Sequence, residues 1–293
     1  MQDDHARLIR EIGGASTVLL KNTNKALPLW KPKSIAVIGE DAHDNPSGPN
    51  ACPDRNCDVG TLAMGWGSGT ANFPYLISPN TALKAQAAED GSKYANVSDN
   101  YDFAAVTAAV TGADVAIVFA NADSGEDYIT VDGNQGDRNN LTLWGNGDAL
   151  IAHVASINPN TIVVLHTVGA VIVEAYKQHP NITAILWAGL PGQESGNAIT
   201  DVLYGKVNPQ AKSGMYYLSS PSLPLKSQPL TFENSLHMGQ TTHRLGRRRY
   251  LFLPYRSTPT QFQRRCLHRL SPFRRCQYRA LLRIRLRTFI HHL

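Results

Sequence analysis

Long apolar runs are missing from these 293 residues: no window approaches the roughly 20 apolar residues that a membrane-spanning helix needs, so no membrane function is expected. Cysteine is scarce at 4, and no Cys or Cys/His grouping has the spacing of a zinc site, so no metal is expected. Gly65-Trp-Gly-Ser-Gly69 has neither the order Gly-x-Gly-x-x-Gly nor a following lysine, which argues against a nucleotide loop and leaves no cofactor implied. Gly192-Gln-Glu-Ser-Gly196 lacks the spacing of a serine-hydrolase elbow. The start, Met-Gln-Asp-Asp-His, has no basic segment followed by an apolar one, so no signal peptide is expected on this chain.

Acids are unevenly spread. Residues 1–211 hold 12 Lys and Arg against 22 Asp and Glu, whereas residues 212–293 hold 16 against 1. A net of −10 is thus joined to a net of +15. Arginine clusters such as Arg247-Arg248-Arg249 suit phosphates, but the region has no sustained helix or strand period, so nucleic acid is not the expected partner. An amphipathic helix near Tyr278–Arg287 that touches membranes or acidic partners is the lesser alternative, because its arginines do not define one polar face. The expectation is a folded domain over 1–211 and a poorly ordered basic tail over 212–293, of the kind a shifted reading frame produces.

Within 1–211, short apolar strands at Thr17–Leu20, Ser34–Ile38, Asp114–Phe119, Thr161–Leu165 and Thr183–Trp187 alternate with helical patterns at Asp3–Ile12, Tyr101–Val110, Asp148–Ile157, Val171–Gln178 and Ser195–Tyr204. Repeated βα units require a mostly parallel sheet with helices on both faces. The fold class is therefore α/β, a three-layer α/β/α sandwich. Asp41–Pro79 is rich in Gly, Pro and Asn and reads as a long loop, which in compact domains is usually functional.

The stretch Ala120–Trp144 places Glu126 after Ser124-Gly125, just past the end of an apolar strand, which is where ligands gather in such sheets. Tyr128 supplies an amphipathic ring of the kind that packs on sugar faces. His166 and His153 read as structural histidines. Glu194, at a helix start, reads as a supporting residue.

These blocks, with Gly60–Thr70, Asn72–Tyr75 and Trp187–Gly196, resemble the second domain of fungal family 3 glycoside hydrolases, the secreted beta-glucosidases, over roughly Ala6 to Pro209. The resemblance implies that Glu126 is the general acid/base, that Ser68 binds a sugar hydroxyl in the cleavage subsite, and that Tyr128 lies on the leaving-group side. The usual family loop has glycine where this chain has Asp127. The implied activity is retaining hydrolysis of terminal β-D-glucosyl residues from cello-oligosaccharides or other β-glucosides. That chemistry needs two carboxyls about 5 Å apart. The family's nucleophilic aspartate comes from a preceding (β/α)8 barrel, so the barrel is an implied partner and the chain alone is expected to be inactive. The loop carboxylates Asp123, Asp127, Asp132 and Asp137 could be imagined as a substitute nucleophile but read as solvated loop carboxylates. The rival reading is a non-catalytic carbohydrate-binding or interaction module.

Asn96, Asn140 and Asn181 begin glycosylation sequons, and Cys52 and Cys57 lie close enough for a small disulfide loop. Together these features suit a secreted, extracellular parent protein.

Overall fold

Continuous apolar runs along the central strands decide the architecture of the computed structural model, which describes residues 4–51, 59–65, 70–131 and 133–209. Strands β2 (Ser34–Ile38), β3 (Lys93–Val97), β4 (Val115–Ala122), β7 (Thr161–Thr167) and β8 (Ile182–Trp187) run parallel, and β1 (Val18–Asn22) joins β8 antiparallel. Their order is β1-β8-β7-β4-β2-β3. The short strands β5 (Thr130–Val131) and β6 (Asn134–Gln135) form a separate hairpin.

Both faces of the sheet are covered. On β4, Ala116, Val118 and Ala120 enter one core with Val106 and Val110 of α3 (Phe103–Val110) and Leu150, Ile151 and Val154 of α4 (Gly147–Ile157). Val115, Ile117 and Phe119 enter the other with Leu83 and Ala87 of α2 (Pro79–Asp90) and Ile199, Val202 and Leu203 of α6 (Ser195–Leu203). A strand buried on both sides is apolar at nearly every position, which is why β4 reads as an unbroken run from Val115 to Ala120. In β8 the register slips at Thr183, so Ile182 and Ile185 reach the same core. Each fully buried Ile or Phe contributes roughly 1.5–3 kcal/mol.

Helix α1 (His5–Ser16) lies on α6. Asp4 caps it by accepting from the Arg7 amide at 3.2 Å. Gly13 leaves room for the approach, since a Cβ there would sit 2.9 Å from the Ala198 methyl. Arg10 completes the contact with a two-pronged pair to Asp201, at 2.5 and 2.7 Å.

The three-layer expectation holds, with two additions. Helix α2 is alanine-rich and shows no strong apolar stripe, yet Ser78 caps it, Pro79 opens it and Gly91, at φ 72, closes it. Strand β3 lies at the sheet edge, where Lys93 and Asn96 face solvent, so it lacks the apolar run of its neighbours. The helix expected over Val171–Gln178 shortens to α5 (Glu174–Lys177), because Val171 and Val173 enter the core from the preceding connection.

From β2 the chain runs outward to β3, then returns past β2 to β4 and continues to β7 and β8. The direction of winding therefore switches between β2 and β4. At such a switch the connections leaving two adjacent carboxyl ends diverge and open a crevice.

Candidate active site

Three connections meet at that crevice: the long loop after β2, the Glu126 loop after β4, and the turn after β7. Asp41 and His166 tie two of them together. Both side chains are buried, and His166 Nδ1 donates to Asp41 Oδ2 at 2.7 Å. Asp41 Oδ1 accepts the Leu62 amide at 2.9 Å, which anchors the long loop, and Ser195 Oγ lies 3.3 Å from His166 Nε2. Asp, His and Ser in this order resemble a hydrolytic triad only on paper. Ser195 and His166 are both fully buried, so no substrate reaches the hydroxyl.

The long loop is also sewn to the segment after β8. Gly192 N–H donates to Ala63 O at 2.8 Å, Ile77 N–H to Gln193 O at 2.9 Å, and Gly196 N–H to Ile77 O at 2.7 Å. Gly196 must be glycine, because a Cβ would lie 2.0 Å from the Ser78 carbonyl oxygen. Glu194 accepts from the Tyr75 hydroxyl at 2.5 Å and from Asn197 Nδ2 at 2.7 Å. That hydrogen bond pushes the Tyr75 phenol above its ordinary pKa. Glu194 is therefore a buried fastener of the loop, as its place at a helix start suggests.

Glu126 stands exposed at the end of β4. Its carbonyl accepts the Ile129 amide at 2.9 Å, closing a four-residue turn, and Gly136 N–H donates to Ile129 O at 2.9 Å from the base of the β5–β6 hairpin. Gly125 allows the fold-back, since a Cβ there would lie 2.4 Å from the Ile129 carbonyl oxygen. Asp127 occupies the first central position of the turn at φ 52, in the left-handed region that glycine favours. The turn thus keeps a glycine-like shape without the glycine. Asp and Asn pay the smallest penalty there among residues with a Cβ.

Tyr128 is 78% exposed beside Glu126. Tyr75, Val59 and Leu190, from the long loop and the segment after β8, are further large side chains left exposed. Asp123 is not the solvated carboxylate expected: it is fully buried because the loop folds over it and its Oδ1 takes the Ser124 amide at 2.7 Å, while Asp127 and Asp137 are exposed. Ser68, Cys52, Cys57 and Asp132 lie outside the described residues, as does the tail after residue 209. Asn96 and Asn140 are exposed, whereas Asn181 is half-buried and its Nδ2 donates to Ala155 O at 2.8 Å. His153 stacks on Phe103 with ring centroids 4.5 Å apart. Among the described residues no cluster of three or more His, Cys, Asp or Glu side chains is placed to hold a metal ion, and no helix is long and apolar enough to cross a membrane.

The β5–β6 hairpin and the role of Asp41 are not among the features expected from the sequence. The first had a signal: Asp132-Gly133 between two short extended pairs is a strong hairpin dipeptide. Asp41 had none, being one carboxylate among many in a loop.

A mostly parallel α/β sandwich with an exposed carboxylate on a loop at the carboxyl end of β4 defines a domain of the open-sheet class, in which ligands gather at such strand ends. The chain belongs to glycosyl hydrolase family 3: the model of that family's C-terminal domain matches residues 17–244. The match runs past Ala211, where the acidic part of the sequence ends. Beta-glucosidase 1 of Aspergillus aculeatus is 58% identical over 215 residues, covering 73% of this chain and 25% of that protein. Among solved structures, a Chaetomium thermophilum beta-glucosidase superposes with a TM-score of 0.69 at 65% identity, covering 71% of this chain and 25% of that one. A family 3 beta-glucosidase from Neurospora crassa gives a TM-score of 0.69 at 61% identity, covering 71% and 25%. The chain thus spans about a quarter of the length of these relatives.

Proposed function

We propose that this domain carries the general acid/base of a retaining beta-glucosidase, that Glu126 is that residue, and that Tyr128 faces the leaving group. The observation that carries the reading is the placement of Glu126: an exposed carboxylate held by a closed turn at the switch point of the sheet. A proton donor needs this combination of access and fixed position. The substrates are terminal β-D-glucosyl residues of cello-oligosaccharides and related glucosides, with Ser68 binding a sugar hydroxyl.

A retaining mechanism needs a second carboxylate as nucleophile. Asp123 and Glu194 are poor candidates because both are buried and the latter is committed to Tyr75 and Asn197. The nucleophilic aspartate comes instead from a (β/α)8 barrel domain that packs over the exposed side chains around Glu126. The aspartate attacks the anomeric carbon while Glu126 protonates the departing oxygen. Water, deprotonated by Glu126, then releases glucose with retained configuration. The parent protein is secreted, with glycans on the exposed Asn96 and Asn140 in preference to Asn181.

The test is a comparison of the purified chain with the same chain joined behind a family 3 barrel. The joined protein should hydrolyse 4-nitrophenyl β-glucoside and the chain alone should not. Vigorous hydrolysis by the chain alone, lost on Glu126→Gln, would place both carboxylates within this sequence and overturn the division of labour.

A further inference from the structure

Between Lys93 and Lys177 the sequence holds a single Lys or Arg, Arg138, near the carboxylates Asp123, Glu126, Asp127, Asp132 and Asp137. Its backbone amide donates to Ser124 Oγ at 3.1 Å. Ser124 N–H in turn donates to Asp123 Oδ1 at 2.7 Å. On the other side the guanidinium Nη2 donates to the Ala170 carbonyl oxygen, in the connection after β7. Nη1 is buried with no hydrogen-bond partner among the described residues.

Withdrawing a guanidinium from water is costly, and burial lowers the Arg138 pKa while the negative charge of buried Asp123 opposes that shift. What offsets the cost is position: Arg138 holds Ser124, which leads into Gly125-Glu126, through its amide and the neighbouring strand's exit through its guanidinium, while the Asp123 charge favours the cation. A lysine has one charged nitrogen and no planar fork, so it reproduces the charge without the geometry.

We propose that Arg138 is the positioning residue of the Glu126 turn, clamping Ser124 to the connection after β7 so that the Glu126 carboxylate stays in register with its substrate. The catalytic part of this statement rests on the reading of Glu126 as acid/base; the clamp itself does not.

Amide hydrogen exchange on the full chain tests the clamp. In Arg138→Lys and in Asp123→Asn, the turn amides of Ile129 and Gly136 should exchange about ten- to a hundredfold faster, the loss expected for a hydrogen bond to a charged group. The core amides of Val118 and Val164 should keep their rates. Unchanged turn amides overturn the proposal, and so does equal acceleration of turn and core, which would mark Arg138 as a general support of the fold. In the barrel-joined protein, Arg138→Lys should lower kcat for cellobiose about ten- to a hundredfold, with KM within about threefold and 2,4-dinitrophenyl β-glucoside less affected. Equal loss on both substrates overturns the positioning role. Absence of a leaving-group difference in Glu126→Ala instead overturns the reading of Glu126, whatever the exchange data show.

Discussion

His166 Nδ1 meets Asp41 Oδ2 at 2.7 Å across 125 residues of sequence, joining the carboxyl ends of β7 and β2 beneath the long loop. Both groups are buried, so each is the other's replacement for water. His166→Ala strands a buried carboxylate and should cost about 3–5 kcal/mol in urea unfolding. Asp41→Ala should cost a similar amount and also release the Leu62 amide. The double variant should fall well short of the sum, because the second change removes a group already left without its partner. Additive losses under about 1 kcal/mol each would mean that the pair does not hold the loop.

Asp127 sits at φ 52, where the family pattern has glycine. Asp127→Gly should therefore stabilise the chain by up to about 1 kcal/mol, and Asp127→Val should destabilise it by at least that much. In the barrel-joined protein, Asp127→Gly should leave activity equal or higher. Thermal unfolding decides the first point, and a lower melting temperature for the glycine variant would show that the Asp127 side chain makes a compensating contact.

Asp148, in the first turn of α4, accepts the Leu143 amide at 3.1 Å. Burial raises its pKa above the ordinary 3.8, and the hydrogen bond only partly opposes this. A carboxyl whose folded pKa is raised binds its proton more tightly in the folded state. Its favourable contribution is complete below pH 3.8 and is lost as pH rises through the folded pKa. The stability of Asp148→Asn minus that of the parent should accordingly grow from acid toward neutral pH and then level off. A difference that is flat across this range, or that shrinks, would contradict the assignment.

The parallel sheet was legible because β2, β4, β7 and β8 are buried on both faces and so announce themselves as apolar runs. The Glu126 loop was legible for a different reason: Ser124, Gly125 and the aromatic Tyr128 form an ordered block after such a run. Edge strand β3 and alanine-rich α2 were not, since an edge does not require apolar residues and alanine draws no stripe. Asp41 was invisible for want of its partner, because nothing local distinguishes a loop carboxylate that will meet a histidine on a distant strand. The left-handed turn at Asp127 was half visible: the missing glycine marked the position, and the structure supplied the backbone angle.

The proposed role of Glu126 is to give and take the proton. The most direct measurement is the kinetics of Glu126→Ala in the chain joined to a family 3 barrel, with poor and good leaving groups side by side. Cellobiose, whose leaving oxygen needs protonation, should lose about 10²–10⁴-fold in kcat/KM, while 2,4-dinitrophenyl β-glucoside should be affected far less in the glycosylation step. Added azide, which attacks the glycosyl-enzyme without a general base, should restore turnover of the activated substrate and yield β-glucosyl azide with retained configuration. Equal losses on both substrates, with no glucosyl azide formed, would contradict the account and move the acid/base role to another residue.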